Sequence, residues 1–406
     1  MTYRATTTTR RRPAAGRRPR ILLLALLPIG DTLLATPTVR ALRARYPDAR
    51  ITALVHTSTA PLMCAVPAID DVVVLPFRAD WAGLAPLART LRRLRAQRFD
   101  VAIDFTTPAY KWVSFLCGIP QRTYMKFDPL WWFVPGRRRR WRATHATRHY
   151  YDCARELDLP PWDTVDPRPS PCLPPSARDA ARRFLAQEGV AWGEPLIGVH
   201  AGGAGLGGLK RWPPDRFAAL ADDLHDAWGA RILLLGGPDE RGLAETVAAM
   251  MRACPIVAVG AVPLLTSVAL IECCDLFIGN DSGPLHAAAA VGTPYVGIIG
   301  PTCPDNFRPI PTRAGQGVLV EPAVGCRVPH YFVGGAPVWR RPCCRGVCAA
   351  LDTLTVDDVR AEADWLLRRL PARQAATGGI EPIGAMGEER RSGAEMPVVG
   401  GGEKAY

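Results

Sequence analysis

The sequence predicts an α/β protein made of two doubly wound parallel sheets that face each other across a cleft. Apolar runs of strand length alternate with amphipathic runs of helix length twice along the chain, over residues 20–105 and again over 195–301. That order puts helices on both faces of a mostly parallel sheet. Between the two series lies "RPSPCLPPSA", whose prolines can continue neither kind of element. A chain of 406 residues also exceeds what one core ordinarily organises.

Residues 1–18 contain no acidic residue and almost no apolar side chain, so they are expected to be a disordered basic tail. "RILLLALL" follows as the first strand. Its basic flank and the small residues after it also match a secretory leader, but cleavage there would leave an orphan helix and strand. Pro28, Gly30 and Asp31 come next, then a helix "TPTVRALRARYP" with Arg40, Arg43 and Arg45 outward, and the strand "ARITALVH". "DDVVVLP", the basic helix "PLARTLRRLRAQRF" and "DVAIDF" complete a first domain spanning 19–170. From Arg122 to Pro175 the text is aromatic, basic and proline-rich, with one helix, "HATRHYYDCARELDL".

Residues 171–190 are read as the linker region. The second domain, 191–352, runs through strand "PLIGVHAG", helix "PDRFAALADDLHDAWG", strand "RILLLGGP", helix "RGLAETVAAMMRAC", strand "IVAVGA", helix "LLTSVALIECC", strand "LFIGND", helix "PLHAAAAVG" and strand "PYVGIIGP". A last helix covers 353–371, and 372–406 has no periodicity and is expected to be a disordered tail.

The formal charge of +12 implies an anionic partner: nucleic acid, a membrane surface or a phosphorylated substrate. Twelve cysteines, some in adjacent pairs, do not form the framework of a small disulfide-stapled domain, so a reducing cytoplasm is expected. Cys326, Cys343, Cys344 and Cys348 lack the paired CxxC knuckles of a zinc site, and packed or surface thiols are the simpler reading. The longest apolar stretch, "PLHAAAAVGTPYVGIIGP", is broken by Gly292, Thr293 and Pro294, which makes it helix, turn and strand rather than a membrane span.

Ligands of doubly wound sheets bind beyond the carboxyl ends of the strands. Four strand ends carry unusual text: "PIGDT", "HAGGAGLGGLKRWP", "GGPDE" and "GNDSGPLH". In the last, the Asn/Asp/Ser/Gly cluster caps a helix with Pro284 in its first turn, which makes an anion pocket for a phosphate with His286 one turn in. Gly203, Gly205 and Gly208 have dinucleotide-fingerprint spacing, but five residues separate the third glycine from the helix and no acidic strand end follows at the required distance. The glycines instead bring backbone close to a ligand, with Lys210 and Arg211 adding positive charge. Asp31 is either a general base or the cap of the helix after it.

Together "IGDTLLATPTVRALRARYPDARI", "KRWPPDRFAALADDL", "LLLGGPDE" and "LFIGNDSGPLHAAAAVGTPYVGIIGPT" resemble glycosyltransferase family 9, the ADP-heptose:lipopolysaccharide heptosyltransferases. The resemblance implies the GT-B architecture, with the nucleotide sugar on the carboxyl-terminal Rossmann-like domain, the acceptor on the amino-terminal one, and a final helix crossing back. It implies Asp31 as general base and Lys210 on the diphosphate. Glu240 then holds the adenosine ribose, and adenine lies near Gly260 and Val262. Asp281, Ser282, Gly283 and His286 contact sugar hydroxyls and phosphates. It further implies an inverting transfer, from ADP-heptose or a related donor, to a glycolipid or lipopolysaccharide-core acceptor at the cytoplasmic face of the inner membrane, with no cofactor and no nucleic acid.

The chain has no DxD sequence, so no diphosphate-bridging metal is expected; Lys210, His286 and the helix terminus would take its place. The segment 126–142, "KFDPLWWFVPGRRRRWR", matches no pattern of the family, and suits either an anionic headgroup layer or a surface loop with packed tryptophans. A catalytically idle sugar-nucleotide-binding protein is the alternative of a different class. The joint presence of Asp31, Lys210 and Asp281 favours the enzyme.

Overall fold

The central strand of the first sheet is β1 (Arg20–Ala25), because nearly every side chain of "RILLLA" can be dry. Ile21, Leu23 and Ala25 enter the apolar cluster on one face, and Leu22 and Leu24 the cluster on the other, the alternation that a pleated strand imposes. In this computed structural model, which describes residues 18–75, 84–106, 110–124, 144–191, 193–203, 208–302, 304–322 and 350–369, β1 is flanked by β2 (Arg50–Val55), β3 (Asp71–Val74), β4 (Val101–Asp104) and β5 (Gln121–Tyr124). All five strands are parallel, in the order β3-β2-β1-β4-β5. The helices of this lobe are α1 (Ile29–Arg45), α2 (Ala60–Cys64), α3 (Leu84–Ala96), α4 (Lys111–Leu116) and α5 (Ala146–Cys153).

The second sheet has six parallel strands in the order β11-β10-β9-β6-β7-β8: β6 (Leu196–His200), β7 (Arg231–Leu234), β8 (Ile256–Val257), β9 (Leu276–Asn280), β10 (Tyr295–Ile298) and β11 (Gly317–Val320). Its helices are α6 (Pro175–Gln187), α7 (Pro214–Trp228), α8 (Arg241–Met250), α9 (Leu264–Cys273), α10 (Gly283–Val291), α11 (Pro304–Phe307) and α12 (Val356–Leu367). Each sheet reverses its winding beside its first strand, between β1 and β4 and between β6 and β9. The loops after these strands therefore border the crevices in which such sheets bind ligands.

Several expectations are corrected. The first helix opens at Ile29, seven residues before Thr36, so Asp31 lies inside its first turn. Arg45 is exposed as expected, but Arg40 and Arg43 are half-buried: Arg40 donates to the carbonyls of Asp166 and Arg168, and Arg43 to those of Ala49 and Ala68 and to Asp70. Residues 171–190 include α6, tied to α9 by a bidentate Arg178–Glu272 pair at 2.6 and 2.9 Å. The final helix does not cross back. The buried Val359, Ala363, Leu366 and Leu367 of α12 belong to the second sheet's apolar cluster, and α7 supplies the Trp228 donor to Asp364 and the Asp223 partner of Arg360. Strands β5 and β11 carry no clear sequence period and add one strand each to the expected sheets.

The tails, the segment 126–142, Gly205 and the cluster Cys326, Cys343, Cys344 and Cys348 lie outside the described residues.

The lobes are joined by interlocking apolar contacts. Leu33 of α1 and Leu62 of α2 sit in a cluster otherwise built by the second lobe, while Phe307 and Ile310 pack against the first lobe's cluster. Beside them Asn306 Nδ2 donates to the Thr144 carbonyl at 2.7 Å, and His145 Nε2 lies 2.9 Å from the Arg308 carbonyl.

Candidate active site

The amino-terminal ends of α1 and α10, one from each lobe, meet in the cleft. A Cβ on Gly30 would lie 2.9 Å from His286 Cδ2, and one on Gly283 would lie 2.9 Å from Ile29 Cβ, so both positions need glycine for this approach. The two helix ends thus point positive partial charge at one place. Neither is closed by its own cap. Pro28 has no side-chain donor or acceptor to offer α1, and the Ser282 hydroxyl, at the cap position of α10, turns to His200 Nδ1 (3.0 Å) and the Asn280 carbonyl (2.9 Å).

Asp31 therefore does not act as a side-chain cap. Its Oδ1 accepts a 2.6 Å hydrogen bond from the hydroxyl of Tyr150, a fully buried α5 residue packed edge-on against Phe105. Burial pushes the Asp31 carboxyl above its ordinary value. The Tyr150 hydroxyl and the charge of Lys210 pull it partly back, and the charge of Asp281 adds to the rise.

Opposite it, Lys210 Nζ donates to Asp281 Oδ2 at 2.8 Å and to the Asp281 carbonyl at 3.2 Å, with both residues buried. Burial acts to raise Asp281, but Lys210 and then His286 outweigh it, and the carboxylate is held below the usual range. His286 is 5 % exposed, and its Nδ1 has no hydrogen-bond partner. Burial lowers its pKa to about 4 against the pull of Asp281, so the imidazole is neutral at pH 7 with one nitrogen free to meet a ligand.

A second group of side chains adjoins the first. Glu240 accepts from the backbone N–H groups of Gly203 (2.8 Å) and Gly237 (2.9 Å) and lies 3.0 Å from His200 Nε2. Burial would raise the Glu240 carboxyl, but these contacts, His200 foremost, hold it at about 2. Gly260, at φ +63°, packs on Pro238 beside Glu240; Val262 is partly buried against the second lobe's core. Arg211 Nε donates to the Gly203 carbonyl at 3.3 Å.

The structure thus gathers Asp31, Lys210, Asp281, Gly283 and His286 around the paired helix ends, and places Glu240 after β7 and Gly260 after β8, two and three strands from β9, with Ser282 between the groups. Tyr150 and His200 have no role in the sequence reading, and Asn280 has only that of a helix cap. Tyr150 carries no motif and reaches Asp31 only through folding. His200 is the last residue of β6, directly before the glycine-rich loop, which was the available signal. Asn280 stands inside the quoted "GNDSGPLH": its Oδ1 accepts from Trp212 N and its Nδ2 donates to the carbonyls of Ala201 and Gly202, so it ties both ends of the loop after β6 to the end of β9.

Residues 87–329 match the family model described as glycosyltransferase family 9 (heptosyltransferase). The chain belongs to that family. It is therefore a glycosyltransferase. Lipopolysaccharide heptosyltransferase 2 of Escherichia coli K12 is 26% identical over 305 residues, which cover 73% of this chain and 86% of the relative. A glycosyltransferase family 9 structure from Veillonella parvula superposes with a TM-score of 0.70 at 23% identity, over 86% of this chain and 97% of that one. The E. coli ADP-heptose lps heptosyltransferase II structure gives 0.66 at 21%, over 86% and 98%. The iron-containing dodecameric glycosyltransferase TibC of enterotoxigenic E. coli gives 0.51 at 13%, over 86% and 76%. These likenesses establish the two-lobed GT-B fold.

Proposed function

We propose that this family 9 glycosyltransferase moves heptose or a related sugar from an ADP-sugar to a lipopolysaccharide-core or similar glycan acceptor, with inversion and without a divalent metal. The observation that carries the reading is the raised Asp31 carboxyl, held by Tyr150 and set against the unpartnered His286 nitrogen, between two uncapped helix ends. As the acceptor oxygen attacks the anomeric carbon, its proton passes to Asp31, a carboxylate whose raised pKa makes it a better base. The bond from that carbon to the diphosphate oxygen breaks, and the departing ADP carries the electron pair. Its negative charge meets Lys210, His286 and the α10 amino terminus. Glu240 is assigned to the ribose, Gly260 and Val262 to the adenine edge, and Arg211 and Ser282 to the phosphates. Lys210 supplies the charge that a bridging metal would otherwise bring, and no cofactor enters the reaction.

The proposed location is the cytoplasm, at the inner face of the membrane that carries a glycolipid acceptor. Cys64, Cys117, Cys153, Cys172 and Cys254 are free thiols, in keeping with a reducing compartment. No helix among the described residues is long and apolar enough to cross a membrane.

The test measures donor binding and turnover side by side. ADP is expected to raise the melting temperature equally with and without EDTA, and turnover is expected to survive the chelator; loss of turnover restored by one metal would overturn the metal-free mechanism. Asp31→Asn is expected to keep ADP binding and lose roughly 100-fold or more in turnover, the usual share of a positioned base. A fully active Asn variant would remove Asp31 from the chemistry.

A further inference from the structure

We propose that α4 and the edge strand β5 form a docking surface for an anionic lipid bilayer. Phe115 is 68 % exposed, Leu116 48 % and Tyr124 44 %, and these three large apolar side chains project from two adjoining elements of the first lobe. Cations interleave them. Lys111 Nζ lies 3.8 Å from the centre of the Tyr124 ring, the Arg122 guanidinium 5.6 Å from that of Phe115, and Arg95 of α3 reaches the Leu116 carbonyl at 3.4 Å. Over residues 84–124 the chain has seven Lys and Arg against two acids, Asp100 and Asp104. Neither acid offsets this face: Asp100 accepts from the backbone of Arg20, and Asp104 is buried and accepts from Thr106.

The chemistry selects the occupant. A second copy of this chain would set like charges against each other across a two-fold interface. A single-stranded nucleic acid would stack its bases on open aromatic faces, but a cation already lies over the Tyr124 and Phe115 rings. Apolar tips that can enter the headgroup layer, with Lys and Arg beside them at phosphate height, are what a negatively charged bilayer takes. The placement fits the reaction, and to that extent rests on the proposed glycolipid acceptor. Tyr124 ends β5, and in a parallel sheet the carboxyl end of β5 lies on the same side as that of β1, which leads into Asp31.

The full chain is sedimented with phosphatidylcholine vesicles with and without phosphatidylglycerol. Binding is expected only with the anionic lipid and is expected to weaken as salt rises. The double substitution Phe115→Ser, Leu116→Ser should lower the bound fraction about tenfold, and Lys111→Gln with Arg122→Gln should do so comparably at low salt, while the ADP-induced melting shift stays unchanged in both. Equal binding to neutral vesicles, binding undiminished in either double variant, or capture of a single-stranded oligonucleotide in place of the vesicles would overturn the proposal. Failure of the ADP shift in the parent chain would instead count against the donor reading.

Discussion

Asp31 and Asp281 are both carboxylates of the cleft, yet their surroundings drive them in opposite directions. Asp281 has a lysine at 2.8 Å and stays ionised; Asp31 has a phenol at 2.6 Å and is pushed up by burial. Because the Tyr150 hydroxyl donates to the ionised form, Tyr150→Phe should raise the Asp31 pKa further. If Asp31 is the base proposed above, the acidic limb of the pH profile of kcat/KM is expected to move to higher pH, with melting temperature little changed; an unmoved limb would deny Tyr150 that influence. Lys210→Ala removes one partner of a buried pair, which typically costs about 3–5 kcal/mol. The variant should melt lower and bind ADP weakly. The pair replacement Lys210→Met with Asp281→Leu should recover much of the stability and none of the ADP binding, which separates the two roles. The sign for acid follows from the lowered Asp281 and Glu240 values: their stabilisation is complete above the ordinary carboxylate range and is lost as pH falls through it, for Glu240 towards about 2.

At the scale of the element, α1 shows how a local signal can mislead. The run "TPTVRALRARYP" puts the start of the helix at Thr36, and a proline at the next position is compatible with a first turn; the helix in fact passes through Pro37 from Ile29. Proline has no N–H for the Leu33 carbonyl one turn earlier. The Thr36 hydroxyl supplies it instead, donating to Leu33 O at 2.7 Å while accepting from Ser170 N at 3.2 Å. Thr36→Val keeps the shape but loses both bonds, and should destabilise by roughly 1–3 kcal/mol, as expected for buried groups left unpaired. Chemical denaturation measures this, and a loss near zero would mean that water satisfies the carbonyl. The same continuation of α1 is what brings Gly30 and Asp31 up to α10.

Over the whole of residues 18–369, each lobe lends side chains to the other's apolar cluster. Phe307 packs against the first lobe's core from the second lobe, beside the Asn306–Thr144 and His145–Arg308 hydrogen bonds. Phe307→Ser should loosen this seam without reaching Asp31, Lys210 or His286. In calorimetry the parent should melt in one transition, and the variant should show a lower-melting step or two resolved steps. An unchanged single transition would show that the seam adds little to cooperativity.

The sequence by itself determined the class of fold, because a run such as "RILLLA" has no polar side that could face water and alternation with helices then leaves few topologies. It also marked the strand-end motifs around Asp31, Lys210, Glu240 and Asp281 that folding brings to the cleft, since close backbone approach at helix ends demands particular residue types at fixed spacing. Only the tertiary structure decided what those groups do to one another. The Tyr150–Asp31 bond joins residues 119 positions apart, and the His200–Ser282 contact joins residues 82 apart. It also decided that α12 stays on the second sheet, because the helix shows where it is apolar but the complementary face of β9, β10 and α7 exists only after folding. Short strands such as β5 and β11 were hidden for the same reason: a four-residue run gains its strand identity from the neighbour it pairs with, and local periodicity cannot report a partner.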